Sequence, residues 1–239
     1  MQKSWLAFKK AVSTKQLLYI LLFIDSLAVT LAISKALILQ ESPYKYFTEK
    51  KFITDLSCWQ LAIAGILSLV IYTTVKSSAN SELAKSALLW LIIGFGLIFL
   101  ALDDSLEIHE QIDLYLHDFF AIKETRITDL ADDLIVGFYL LIFLGCIFWQ
   151  RKTIALFKSS HKWFLIGIGL AVIMVFLDLT SNNNLFTSRL VDPSQDELFR
   201  DWMGVIEDSA KIFAEGMFLV GIYQCLRIVD SKKDNTTNQ

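Results

Sequence analysis

Long apolar runs separated by short polar segments dominate the chain. They cover 17–39, 53–75, 86–104, 132–150, 162–180 and 203–228. A bilayer core of roughly 30 Å requires about 20 apolar residues per helix, and every run is near that length. None alternates apolar and polar residues with period two, and all are too long for the strands of a membrane barrel. The pattern predicts an all-α fold: a polytopic membrane protein built as a six-transmembrane-helix bundle. The second run carries only one charge, Asp55.

The first run follows a basic front (Lys3, Lys9, Lys10, Lys15), as a signal sequence would. Its apolar stretch is long, however, and no small-x-small cleavage pattern follows, so a retained anchor is expected. The chain reads as a single membrane domain, 1–239. Segment 1–16 is basic, and Trp5, Leu6 and Phe8 beside Lys9 and Lys10 suit a helix lying at the membrane surface, or else a solvated tail. The longer polar connections are 105–131 and 181–201, and 229–239 is a polar tail. Residues 103–120, DDSLEIHEQIDLYLHDFF, have helical character, so the third span is expected to continue past the membrane as an amphipathic helix. Segment 181–201 starts polar and turns semi-apolar, which suits either a lid over the helix ends or an open loop.

Composition sharpens this picture. Hydrophobic residues make up 54% of the 239 and mean hydropathy is +0.50, beyond the range of ordinary soluble domains. The net charge of −3 conceals an asymmetry between the two faces. With the N-terminus inside, the cytoplasmic segments hold 12 Lys or Arg and the opposite loops 7, the latter diluted by acids. Both termini are then cytoplasmic in a bacterial inner or plasma membrane, and the acid clusters face outward. Both prolines, Pro43 and Pro193, lie in the outer connections, and all ten glycines lie in the apolar runs, which suits close helix packing. Cys58, Cys146 and Cys225 are within spans, and their spacing indicates neither a metal site nor a disulfide. Lipid is the expected environment; nothing in the charge pattern indicates nucleic acid.

Acids gather at one end of the bundle. Asp103, Asp104, Glu107 and Glu110 follow the third run, Asp132 and Asp133 open the fourth, and Asp178 closes the fifth. Glu207, Asp208 and Glu215 lie in the sixth. A short internal similarity accompanies them: Leu102-Asp103-Asp104-Ser105 parallels Leu177-Asp178-Leu179-Thr180, and Asp132-Asp133 parallels Glu207-Asp208. Carboxylates in or beside a bilayer need a proton, a cation, water or an ion-pair partner.

On a helical wheel Glu207, Asp208, Lys211 and Glu215 share one face, opposite Ile206, Ile212 and Phe213. Lys211 is spaced to pair with Glu207 or Glu215, yet three acids share one base. Asp103, Glu107 and Glu110 follow i, i+4, i+7 spacing, with His117 two turns on; Asp104 and His109 point elsewhere on the wheel. Such a stripe is either a solvated face or a cation site. Carboxylates suit hard divalent cations such as Ca²⁺, Mg²⁺ or Mn²⁺, and His109 or His117 would extend the choice to zinc or iron. Asp25 stands alone in the first run and is the residue that suggests a proton path deeper into the membrane.

Two resemblances bear on the chemistry. Ser105-x3-His109 resembles the Ser-x3-His element of the alkaline ceramidase and adiponectin-receptor superfamily of membrane zinc hydrolases. That family also needs a His-x3-His pair in a late span, where this chain has Glu207, Lys211 and Glu215, so three-His zinc chemistry is not implied. The chain is also similar to uncharacterised bacterial multi-spanning proteins whose third span ends like Leu-Asp-Glu-x4-His-Glu and whose last span reads like Glu-Glu-x2-Glu. The matching residues are Leu102-Asp103-Asp104, His109-Glu110, Glu207-Asp208 and Lys211, with Lys211 in place of an acid as a built-in cation. Three functional readings follow. The first is a protein that binds and conducts or carries a cation or proton. The second is a metal-dependent hydrolase acting on a lipid or small substrate at the outer leaflet. The third is a structural or sensory protein with buried ion pairs.

Overall fold

The structure, a computed structural model, describes residues 12–48, 51–78, 80–120, 138, 141, 142, 145, 146, 148–181 and 195–237. Among these residues there are helices and turns but no strand. Helix α1 spans Thr14–Leu39. It opens on a capping box in which Ser13 Oγ accepts from the Gln16 amide and Gln16 Oε1 accepts from the Ser13 amide. It ends at Gln40, whose left-handed backbone (φ 54°) returns its N–H to the carbonyls of Ala36 and Leu37. A 3-10 turn, Pro43–Tyr46, leads to α2, Phe52–Lys76. A single turn capped by Asn80 precedes α3, Ala87–Leu106. Helix α4 is Ile108–Phe120, α5 is His161–Ser181 and α6 is Asp196–Thr237.

Five helical segments are long and apolar enough to cross a membrane: α1, α2, Ser81–Leu106, Arg151–Asp178 and Asp196–Lys232. The expected fourth span, 132–150, lies largely outside the described residues, as do 1–11, Asp132, Asp133 and Pro193.

Two expectations about element ends need correction. The third span does not run on as one helix, because Glu107 takes a left-handed backbone (φ 54°) and separates α3 from α4. The i, i+4, i+7 face drawn through Asp103, Glu107 and Glu110 is broken there. Helix α6 begins at Asp196 and reaches Thr237, so 196–201 and 229–237 are helix rather than loop and tail.

Helix α6 is the axis of the bundle. Its membrane segment is 72% buried, against 17% for α1, and it packs on α1, α2 and α5, while α3 packs on α2. The outer faces stay apolar: Phe23, Ile24, Leu27 and Leu31 of α1 are exposed, whereas Leu21, Asp25, Ala28 and Ala36 face inward. Lipid tails are as apolar as these side chains, so close packing, rather than water exclusion, holds such helices together. Glycines allow it. A Cβ on Gly65 would lie 2.9 Å from the Gly94 carbonyl oxygen, and one on Gly94 would lie 3.2 Å from that of Gly65. Away from the acid end, the core is a continuous apolar plug that includes Leu61, Leu67, Ile71, Trp90, Val220 and Leu226. Trp90 meets Phe157 edge to face at 5.1 Å.

Candidate functional site: a buried acid network

The inward stripe of α1 has a carboxylate where its spacing calls for an apolar residue. Asp25 is 1% exposed, and Gln60 of α2, 2% exposed, donates Nε2 to Asp25 Oδ1 at 2.6 Å. Gly216 of α6 makes the room. A Cβ there would stand 3.0 Å from Asp25 Oδ2 and 3.4 Å from Gln60 Oε1. At about 1.5 Å per residue, Asp25 lies about 17 Å along α1, near mid-membrane.

One turn along α2 towards the acid-rich end, Ser57 joins three helices. Its Oγ is 2.9 Å from Glu215 Oε1 of α6 and 3.0 Å from Asp104 Oδ2 of α3. The other oxygen of Asp104 accepts a hydrogen bond from Lys211 Nζ, and Cys58 Sγ lies 3.4 Å from Asp104 Oδ2. Asp208 completes the group: the charges of Lys211, Asp104 and Asp178 all act on it. Residues of α1, α2, α3, α5 and α6 therefore contribute to one electrostatic neighbourhood.

Asp103 has a different task from its neighbour. It is buried, accepts from the His109 amide at 3.0 Å and meets His109 Nδ1 at 2.9 Å, so it caps the start of α4. The wheel placed Asp103 on one stripe with Glu107 and Glu110, and Asp104 off it. Asp104 is the one that meets α2 and α6, while Asp103 is taken up by His109 just past the break at Glu107. Lys211 likewise bonds across to α3 rather than only along its own helix.

Glu207 is half-buried one turn before Lys211, and Asp178 is half-buried near the end of α5. Glu107 forms the hinge, and His117 lies on α4. The side chain of Glu110 is outside the described residues, as are Asp132 and Asp133. Asp55, the one charge of the second apolar run, is exposed in the first turn of α2. The wheel missed Ser57, Gln60 and Gly216. The available signal was two polar residues three apart in an apolar run, which places them on one face.

Two buried oxygens, Gln60 Oε1 and Glu215 Oε2, make no hydrogen bond. Among the described residues no group of three or more His, Cys, Asp or Glu side chains is arranged to hold a metal. Asp25 and Gln60 pair with each other, and Leu21, Leu61, Ala64 and Leu67 belong to the apolar core cluster.

No curated protein matches this chain, and no solved structure matches it. A family described as a domain of unknown function, DUF8692, matches residues 16–226, and the chain belongs to that family.

Proposed function

We propose that this DUF8692 member is a membrane protein that takes up a proton from its acid-rich side and holds it in the Asp104–Ser57–Glu215 network, with Asp25 as the innermost station. One observation carries the reading. Ser57 has a single hydroxyl proton and faces a carboxylate on each side, at 2.9 and 3.0 Å. A hydroxyl donates to one acceptor only. The arrangement is satisfied when one carboxyl carries a proton, donates to Ser57 and leaves Ser57 to donate to the other. Lys211 supplies one positive charge to a neighbourhood holding Asp104, Asp208 and Glu215, and further buried negative charge is costly. A proton removes that charge without the ligand set a divalent ion requires.

The orientation supported by the Lys and Arg count puts both termini in the cytoplasm and the acid-rich end outside, with 132–150 as a sixth span. The apolar plug below Asp25 favours binding, or carriage by a moving bundle, over an open pore.

Infrared difference spectra of the purified protein between neutral and acid pH test this. A protonated-carboxyl band is expected, removed or shifted by Glu215→Gln and by Ser57→Ala. A spectrum without that band, or a band indifferent to both substitutions, would overturn the reading.

A further inference from the structure

A cavity of about 320 Å³ lies on the lipid-facing surface between α1 and the start of α2. Its apolar floor is Ala28, Ala32 and Ile53, and its mouth is Lys35, Tyr46 and Lys51. The cleft exists because α1 places alanines four residues apart on this face, which withdraws the helix surface by the length of a larger side chain. Lys35 is four residues from the end of α1, and Lys51 immediately precedes α2. Both side chains line the same cavity, at helix ends, where lipid headgroups lie. Lys35 Nζ is held 4.6 Å from the centre of the Tyr46 ring.

The charge here is opposite to that of the rest of this end of the bundle. Of the nearby acids, Glu41 is already engaged by Lys45 at 2.6 Å and by the Tyr46 hydroxyl at 2.5 Å, and Asp55, four residues after Lys51, forms no salt bridge with it among the described residues. Among the described residues neither Lys35 nor Lys51 forms a salt bridge. Two cations above an apolar cleft, on a surface that faces lipid, complement a phosphate joined to an acyl chain. The volume is at the small end of ligand clefts, roughly 300 Å³ upward, which suits part of a tail rather than a whole molecule.

We propose that this cleft binds one phospholipid with a net negative headgroup, its phosphate between Lys35 and Lys51 and one tail segment over Ala28, Ala32 and Ile53. This site is separate from the buried network and does not depend on the proton reading.

The test is native mass spectrometry and thermal unfolding of the full chain in detergent, with added phosphatidylglycerol, phosphatidylcholine or inorganic phosphate. One retained phosphatidylglycerol and a raised Tm are expected, with no such effect of phosphatidylcholine or free phosphate. Lys35→Gln with Lys51→Gln should weaken retention at least several-fold, and Ala32→Phe, which fills the cleft and keeps both charges, should do the same. Equal retention of phosphatidylcholine, an equal effect of free phosphate, or undiminished retention in either variant would overturn the proposal. Should Ala32→Phe unfold the protein, the lysine pair still decides the matter.

Discussion

At the scale of single residues, the pairing of Lys211 with Asp104 is where charge and packing meet. The two side chains are 28% and 17% exposed, so water screens them only in part. Removing one partner strands a charge. Lys211→Met should therefore destabilise the bundle by about 3 kcal/mol, and adding Asp104→Asn should recover part of that loss. Unfolding of the two single variants and the double variant in detergent measures the coupling, and strictly additive losses would show that the pair is not an interacting unit. The acids of this site were legible in the sequence because charges stand out in apolar runs. Their roles were not. Choosing between Asp103 and Asp104 required knowing that the chain breaks at Glu107, and no residue type near 107 announces a break: there is neither Gly nor Pro. Ser57 and Gln60 drew no notice because uncharged polar residues are tolerated within spans, and only their neighbours on α3, α6 and α1 make them part of a network.

At the scale of elements, helix contacts and caps carry the argument. A Cβ at Gly65 would meet Ile98 Cγ1 at 2.7 Å and the Gly94 carbonyl oxygen at 2.9 Å, and the backbone atom cannot swing aside. Gly65→Ala should thus cost about 1–3 kcal/mol by separating α2 from α3. Gly96→Ala, two residues from the same contact but with nothing within 4 Å, should be neutral or gain up to about 1 kcal/mol of helix propensity. Comparable losses in both variants would mean that the α2–α3 contact is not what Gly65 serves. The sequence marked all ten glycines as packing sites; Gly96, Gly145 and Gly169 meet no neighbour, so only part of that reading holds among the described residues.

The connection from α1 to α2 has its own electrostatics. Hydrogen bonds from Lys45 and then Tyr46, with the nearby Lys35 charge, hold the Glu41 carboxyl below its ordinary value. Whatever this contact contributes is fully present above the ordinary glutamate value, and it is lost as pH falls through the depressed one. Carboxyl-carbon NMR should find Glu41 titrating lower than a free glutamate and returning towards it in Lys45→Gln; an unchanged midpoint in that variant would remove Lys45 as the cause.

At the scale of the whole molecule, hydrophobic periodicity and length were enough to recognise an all-helical membrane chain. Five of the six apolar runs coincide with long helices in the described residues. What the pattern could not convey was which helix is central. The last run holds five charges, more than any other, yet α6 is the most enclosed: Lys211 meets Asp104 of α3 and Glu215 meets Ser57 of α2. Its extent was hidden for the same reason that makes amphipathic ends hard to delimit: beyond the bilayer, polar residues continue a helix as readily as they end it.

That extent has a mechanical consequence. Forty-two residues of α-helix form a rod about 63 Å long, roughly twice the hydrocarbon thickness, and Glu215 sits near its middle. A tilt of the whole rod about its midpoint would act as a lever. A tilt of about 5° displaces the end near residue 237, some 33 Å away, by about 3 Å, and the end at Asp196 by a similar distance the other way. A change in charge at one buried carboxylate therefore has a path to both faces of the membrane without any helix having to unwind.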